Sequence, residues 1–288
     1  MVDPLPPGLP PAALRRRERH ATARVRTSLL SAPAAVALSD VGLDPVGEAM
    51  GCVVVRIGFA GGTGCSWGTG GGYRLATISA HSSVFAGFRP YVSAMQDGYR
   101  RCLRRLLDEA RALQADGVVG VRLTTEHLDE HTREFVALGT AVRARSRTRP
   151  AAPFTTDLSG PETAALLHAG WVPVGIAVGL DVAMRHDDYL TQRQRGWGAG
   201  NTEVSGYTDL VQQGRAFARQ RFAEQVARLG AQGAVVSDLG LRVWEEEPAD
   251  GHVDHVAEAH VRGTAVSQFR RSSSGSPSLT ILPLAPRR

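Results

Sequence analysis

The sequence predicts an α+β fold built from two tandem copies of one module. Each module is a small antiparallel sheet packed on a single long helix, with a short extra helix at its start. Three observations predict this. Residues 27–55 align with 155–183 without a gap, and nearly half of the positions are identical, including Pro45-Val46-Gly47 and Pro173-Val174-Gly175. Further blocks recur in the same order: Leu113-Gln114-Ala115-Asp116-Gly117 as Leu229-Gly230-Ala231-Gln232-Gly233, and Gly139-Thr140-Ala141-Val142 as Gly263-Thr264-Ala265-Val266. The spacing between blocks drifts, so the length differences fall in connections, as in one fold repeated with variable loops.

The elements follow in chain order. Residues 1–26 form a Pro-rich and then Arg-rich arm; residues 1–14 are expected to be disordered, and Arg15 to Arg26 could form a basic helix. The first module, residues 27–145, opens at Ser31-Ala32-Pro33, a helix start with Ser as cap and Pro in the first turn. After a linker at 146–154, the second module (155–269) opens at Ser159-Gly160-Pro161-Glu162, which has the spacing of a capping box, with Gly170 as the stop. Each short helix leads into an apolar, β-branched strand, Leu43 to Ile57 and Trp171 to Met184. A variable segment comes next, glycine-rich over 58–72 and polar over 186–206.

The long helices are read from apolar residues at steps of three or four. In the first module these are Val92, Met95, Tyr99, Cys102, Leu106, Ala110 and Leu113. In the second, Leu210, Gly214, Phe217, Val226 and Leu229 are expected to share a face that Arg221 interrupts. Two strands close each module: Val118 to Thr125 and Phe135 to Ala144, then Ala234 to Trp244 and Val256 to Phe269. Polar hairpin loops, Glu126 to Arg133 and Glu245 to His255, are expected to join them. Residues 270–288 read as a disordered Ser/Pro/Arg tail.

Composition narrows the function class. A hydrophobic fraction of 43% and a charged fraction of 21% suit a soluble globular protein. No apolar run approaches the ~20 residues of a membrane span. The net charge of +5 comes from the arm, linker and tail, because the second module has more acids than arginines. A nucleic-acid-binding domain would place its basic stripe on a folded face, so nucleic acid is not an expected partner. Three cysteines without a CxxC pair fit a reducing cytoplasm rather than a disulfide framework.

Several spaced blocks together resemble the YbjQ-like family, whose label is heavy-metal binding. They are Ala110-Arg111-Ala112-Leu113-Gln114-Ala115-Asp116-Gly117-Val118-Val119-Gly120-Val121 followed by Gly139-Thr140-Ala141-Val142, with Pro45-Val46-Gly47-Glu48-Ala49-Met50-Gly51 ahead of the loop. In the second copy, Phe154-Thr155-Thr156-Asp157-Leu158-Ser159 and Gly170-Trp171-Val172-Pro173-Val174-Gly175 are similar to longer actinobacterial members. The resemblance implies a dodecin-like β-α-β-β module, a ring-like homo-oligomer (typically of five chains), and a divalent or heavy metal ion as ligand. It implies no enzymatic activity.

The candidate metal ligands are Cys65 in the glycine loop, His127 and His131 in the first hairpin, and His252 and His255 in the second. A turn rich in acids and imidazoles can hold a borderline divalent ion, and it is also what a solvated hairpin looks like. Cys102 and Cys52 read as small core residues, since their counterparts are Ala218 and Leu180. Trp67 and Trp197, each in a Trp-Gly-x-Gly block, are candidates for a ligand or subunit contact. No HExxH, P-loop or paired-carboxylate helix occurs, and no catalytic residue is assigned. The expected function is that of a non-enzymatic oligomer binding a metal or small ligand. The alternative is a scaffold whose Arg-rich termini bind acidic partners.

Overall fold

In the computed structural model the described residues are 11–22, 28–57, 78–79, 88–129, 131–147, 149–186, 189–249 and 252–269. Helix α1 (Pro11–Thr22) lies within the arm; it begins inside the stretch expected to lack structure. Pro11 suits a first helical position, Ala13 is buried, and Arg16 forms an ion pair with Glu109 that ties the helix to the first module.

The first module then runs α2 (Ala32–Asp40), β1 (Leu43–Arg56), β2 (Ile78–Ser79), α3 (Arg89–Ala112), β3 (Gly117–His127) and β4 (Thr132–Ala144). The second runs β5 (Phe154–Thr155), α4 (Gly160–His168), β6 (Trp171–His186), α5 (Tyr189–Arg195), a 3-10 turn (Trp197–Ala199), α6 (Ser205–Arg228), β7 (Gly233–Ala249) and β8 (His252–Gln268). The caps are those the sequence specifies. Ser31 accepts from Ala34 N, and Ser159 and Glu162 form a complete capping box. Gly42 and Gly170 follow the two short helices with φ of 77° and 82°, a conformation glycine adopts without steric cost.

There are two four-stranded sheets, ordered β1-β4-β3-β5 and β2-β6-β8-β7. Each takes a strand from the other module. β2 pairs antiparallel with β6, and β5 pairs parallel with β3. The short helix-strand-helix-strand-strand order holds in each copy, but the sheets are not closed within a module. The shared Pro-Val-Gly block has a structural reason: both β1 and β6 shift register there, between Pro45 and Gly47 and between Pro173 and Gly175. Proline cannot donate to the ladder, and a bulge absorbs the gap.

A second shared glycine sets how closely helix and sheet approach. A Cβ on Gly51 would stand 1.9 Å from Cys102 O, and one on Gly179 would stand 2.2 Å from Ala218 O. Both long helices therefore lay their backbones on the same point of the first long strand. The buried face of α6 is Leu210, Gly214, Ala218, Phe222 and Val226, at strict steps of four. This corrects the expected face, because Phe217 and Arg221 lie beside it. Arg221 instead pairs with Glu224 at 3.0 Å and Asp181 at 3.5 Å.

The main core runs through both modules. One face of β6 (Ile176, Val178, Leu180, Val182, Met184) joins Val92, Met95, Val118 and Phe135 of the first module. The other face, represented by Ala177, packs with Ala218, Phe222 and Val226 of α6. β6 is thus buried between the first module and its own helix.

Candidate functional site

Among the described residues, the structure does not gather the sequence-predicted metal ligands. Cys65 and Trp67 lie outside the described residues. His127 ends β3 and His131 lies in the tight turn after it; both are exposed. Burial, then Arg133 and Arg242, hold the His127 imidazole below its ordinary pKa. The second loop is shorter than expected: β7 runs to Ala249 and β8 starts at His252, so Glu245, Glu246, Asp254 and His255 are strand residues. His255 is buried and His252 sits at the very start of β8. Trp197 is fully exposed at the start of the 3-10 turn.

The described residues do not fit a heavy-metal centre. Among them no three His, Cys, Asp or Glu side chains stand close enough to share an ion. Burial pushes the Cys102 thiol up to about 12, helped by Cys52, and it donates to Gly51 O at 3.2 Å. Burial also raises Cys52 to about 11, with its hydrogen bond to Glu134 adding to the shift. Both are protonated thiols at neutral pH, whereas soft metals bind thiolate.

What the fold does assemble is polar and lies at strand ends. His255 Nε2 is 2.7 Å from Tyr207 OH and 3.3 Å from Arg195, and its Nδ1 is 3.5 Å from Glu245. Arg195 also lies 5.5 Å over the Tyr207 ring. Next to it in sequence, Asp254 is buried and accepts at 2.8 Å from His186 Nδ1. α5, β6, α6 and the β7–β8 hairpin all contribute, so the cluster locks the variable segment of the second module onto its sheet. Only His255 of this group was legible as a candidate. Tyr207 could have been found by aligning α6 with α3, where it matches Tyr91.

Tyr91 belongs to the junction between modules. Its hydroxyl donates to Glu258 of β8, and burial and Glu258 both raise its pKa. Gln96 donates to Leu180 O at 3.5 Å and Arg262 to Leu123 O at 2.5 Å. The entry of the second module adds to the edge of β3: Thr156 N donates to Val118 O at 2.9 Å, Val121 N to Thr156 O at 2.9 Å, and Gly120 N to Leu158 O at 3.1 Å. Alongside, Gly160 of α4 sits against Ala34 of α2, where a Cβ would come within 2.6 Å of Ala34 O. This junction is made by one copy of the module receiving the other.

Residues 75–145 match the family model YbjQ_1, described as "Putative heavy-metal-binding". The match covers α3, β3 and β4, the part of the first module that receives the second. The chain is similar to encapsulin nanocompartment protein Rv1762c of Mycobacterium tuberculosis, with 36% identity over 180 residues, covering 60% of this chain and 65% of the relative. It is also similar to a UPF0145 protein of Halorubrum lacusprofundi, 44% identical over 55 residues (19% of this chain, 53% of the relative). A third relative is a UPF0145 protein of Methanothermobacter thermautotrophicus, 35% identical over 66 residues (23% and 58%). The chain thus spans less than two thirds of the length of each of these relatives. No solved structure matches. Among the described residues, no helix is long and apolar enough to cross a membrane.

Proposed function

We propose that this protein is a non-enzymatic YbjQ-type assembly protein that works as a homo-oligomer, its copies arranged in a ring. The observation that carries this reading is β7. It is an edge strand of a four-stranded sheet, and Val235, Val236, Leu239 and Val243 on it are all exposed. An edge strand with this much exposed apolar surface is an aggregation hazard that native proteins cover. The name of the mycobacterial relative, an encapsulin nanocompartment protein, supports an assembly-forming chain. Metal or small-ligand binding is the accompanying proposal. It rests on the family description, and with the described thiols protonated it falls to Cys65, to the hairpin histidines, or to groups brought together by assembly.

Native mass spectrometry with elemental analysis tests both parts. The expected result is a discrete homo-oligomer at micromolar concentration carrying stoichiometric metal that Cys65→Ser or His131→Ala reduces. A monomer overturns the assembly reading. Metal that persists in both variants, or no metal at all, overturns the ligand assignment.

A further inference from the structure

The junction inside the chain has two halves, and the internal repeat supplies a second, unused copy of each. One half is the entry of the second module, where Thr156, Leu158, Gly160 and Ala164 are buried. Their repeat counterparts are Ser28, Leu30, Ala32 and Val36. Ser28, Ala32 and Val36 are exposed, Val36 to 60%, and Leu30 is half-buried. The other half is β3, where Val119, Val121 and Leu123 are 0%, 3% and 6% exposed. Their counterparts on β7 are Val235, Ser237 and Leu239. Val235 and Leu239 are 39% and 59% exposed, and Ser237 is exposed as well. The same module is therefore dry where it has met its neighbour and apolar but open where it has not.

The unused entry already holds the docked shape. Leu29 N donates to Thr140 Oγ1 at 3.2 Å, as Asp157 N does to Thr264 Oγ1 at 3.2 Å. Leu30 N donates to Ser28 Oγ at 3.1 Å, as Leu158 N does to Thr156 Oγ1 at 3.1 Å. The receiving edge is prepared too. The β8 register skips Ser237, and the β4 register skips Gly120 and Val121 at the same place; Val121 N–H carries the junction bond to Thr156 O. No described residue pairs with the outer edge of β7.

We propose that the entry segment of a second copy, Ser28–Leu30 followed by α2, adds to the outer edge of β7 and repeats between chains the junction that joins modules within one. Ser237 N–H then donates to the Ser28 carbonyl of the incoming copy. Tyr207, the counterpart of Tyr91, faces the incoming Glu134, the counterpart of Glu258. The two surfaces are different patches of one chain, so the contact is head-to-tail and generates a ring, or a filament if the rotation does not close.

This inference rests on the oligomeric reading above, and two sets of variants separate them. In a Cys65→Ser background, Ser28→Cys combined with Ser237→Cys is oxidised mildly and run on a non-reducing gel. A ladder of covalent multimers is expected, absent from either single cysteine variant. Separately, Val236→Asp with Leu239→Asp, both at exposed positions, is expected to shift the light-scattering mass to that of one chain with an unchanged far-UV circular dichroism spectrum. If the unaltered chain is an oligomer but no ladder forms, the edge-to-entry contact is wrong and the oligomer uses another surface. If the unaltered chain is a monomer by native mass spectrometry, both readings fall. Should the aspartate variant lose its fold, the cysteine pair decides alone.

Discussion

The residue that follows each long helix shows how two copies of one module can solve the same problem with unequal comfort. Gln114 has a φ of 55° and its counterpart Gly230 a φ of 68°. In both places the chain leaves the helix through the same pattern, with Ala115 N donating to Ala110 O at 2.9 Å and Ala231 N to Val226 O at 3.3 Å. A left-handed conformation is cheap for glycine and costs other residues about 1 kcal/mol. Gln114→Gly should therefore raise the melting temperature slightly and Gly230→Ala should lower it, both read by calorimetry. A fall in melting temperature for Gln114→Gly, or none for Gly230→Ala, would contradict a shared geometry. At Ser159 the capping box adds a pH dependence. The Ser159 hydroxyl and N–H hold the Glu162 carboxyl below its ordinary value of 4.5. The stability it contributes is complete above that value and is lost as pH falls through the lowered one. Glu162→Gln should flatten that acid-side loss, and Ser159→Ala should cost about 1 kcal/mol at neutral pH; thermal melts from pH 3 to 7 check both.

At the scale of elements, the repeat made the strands and helices legible and left their company open. Pro-Val-Gly, the capping serines and the terminal glycines recur because bulges, caps and left-handed turns are local demands on particular residues. The β7–β8 hairpin is expected from the sequence, but its loop is read too long because Glu245, Glu246, Asp254 and His255 are polar, and polar runs read as loops. In the strands Arg195, His186 and Tyr207, distant in sequence, satisfy Glu245, Asp254 and His255, and Trp244 Nε1 donates to Glu246. The face of α6 was misread for a related reason. Gly214 and Ala218 stand at the middle of the contact face, and Phe217 beside them is more hydrophobic than either, which draws the sequence reading off the seam. The close approach those small residues permit predicts a sharp asymmetry. Gly179→Ala should destabilise by about 1–3 kcal/mol through overpacking against Ala218 O, read by urea unfolding, whereas Gly198→Ala, with open space around it, should be neutral.

At the scale of the whole molecule, the two modules are not equivalent neighbours. The first is closed on its β3 edge by the entry of the second, and the second leaves its own β7 edge apolar and exposed. An open repeat array of this kind has one unsatisfied surface at each end, whatever the number of copies, unless it closes on itself. Of the predicted site residues whose side chains are described, only His255 is built into a buried network. His127, His131 and Trp197 are exposed, and Cys65 and Trp67 lie outside the described residues. That outcome has a physical origin. A ligand set is a relation between side chains far apart in sequence, and a single sequence holds no distances. The interface, by contrast, was half legible. Aligning the copies paired Thr156 with Ser28 and Val121 with Ser237, but only coordinates showed that one member of each pair is buried and the other exposed.

The sequence by itself determined that one module occurs twice, where its helices start and stop, and which glycines and prolines its backbone requires, because these are set by local sterics and by a repeat that needs no coordinates. Only the tertiary structure decided that the sheets exchange strands between modules, that β6 is buried on both faces, and that no described residue pairs with the outer edge of β7. Those are matters of which surfaces meet, and surfaces of similar composition are told apart only by what covers them.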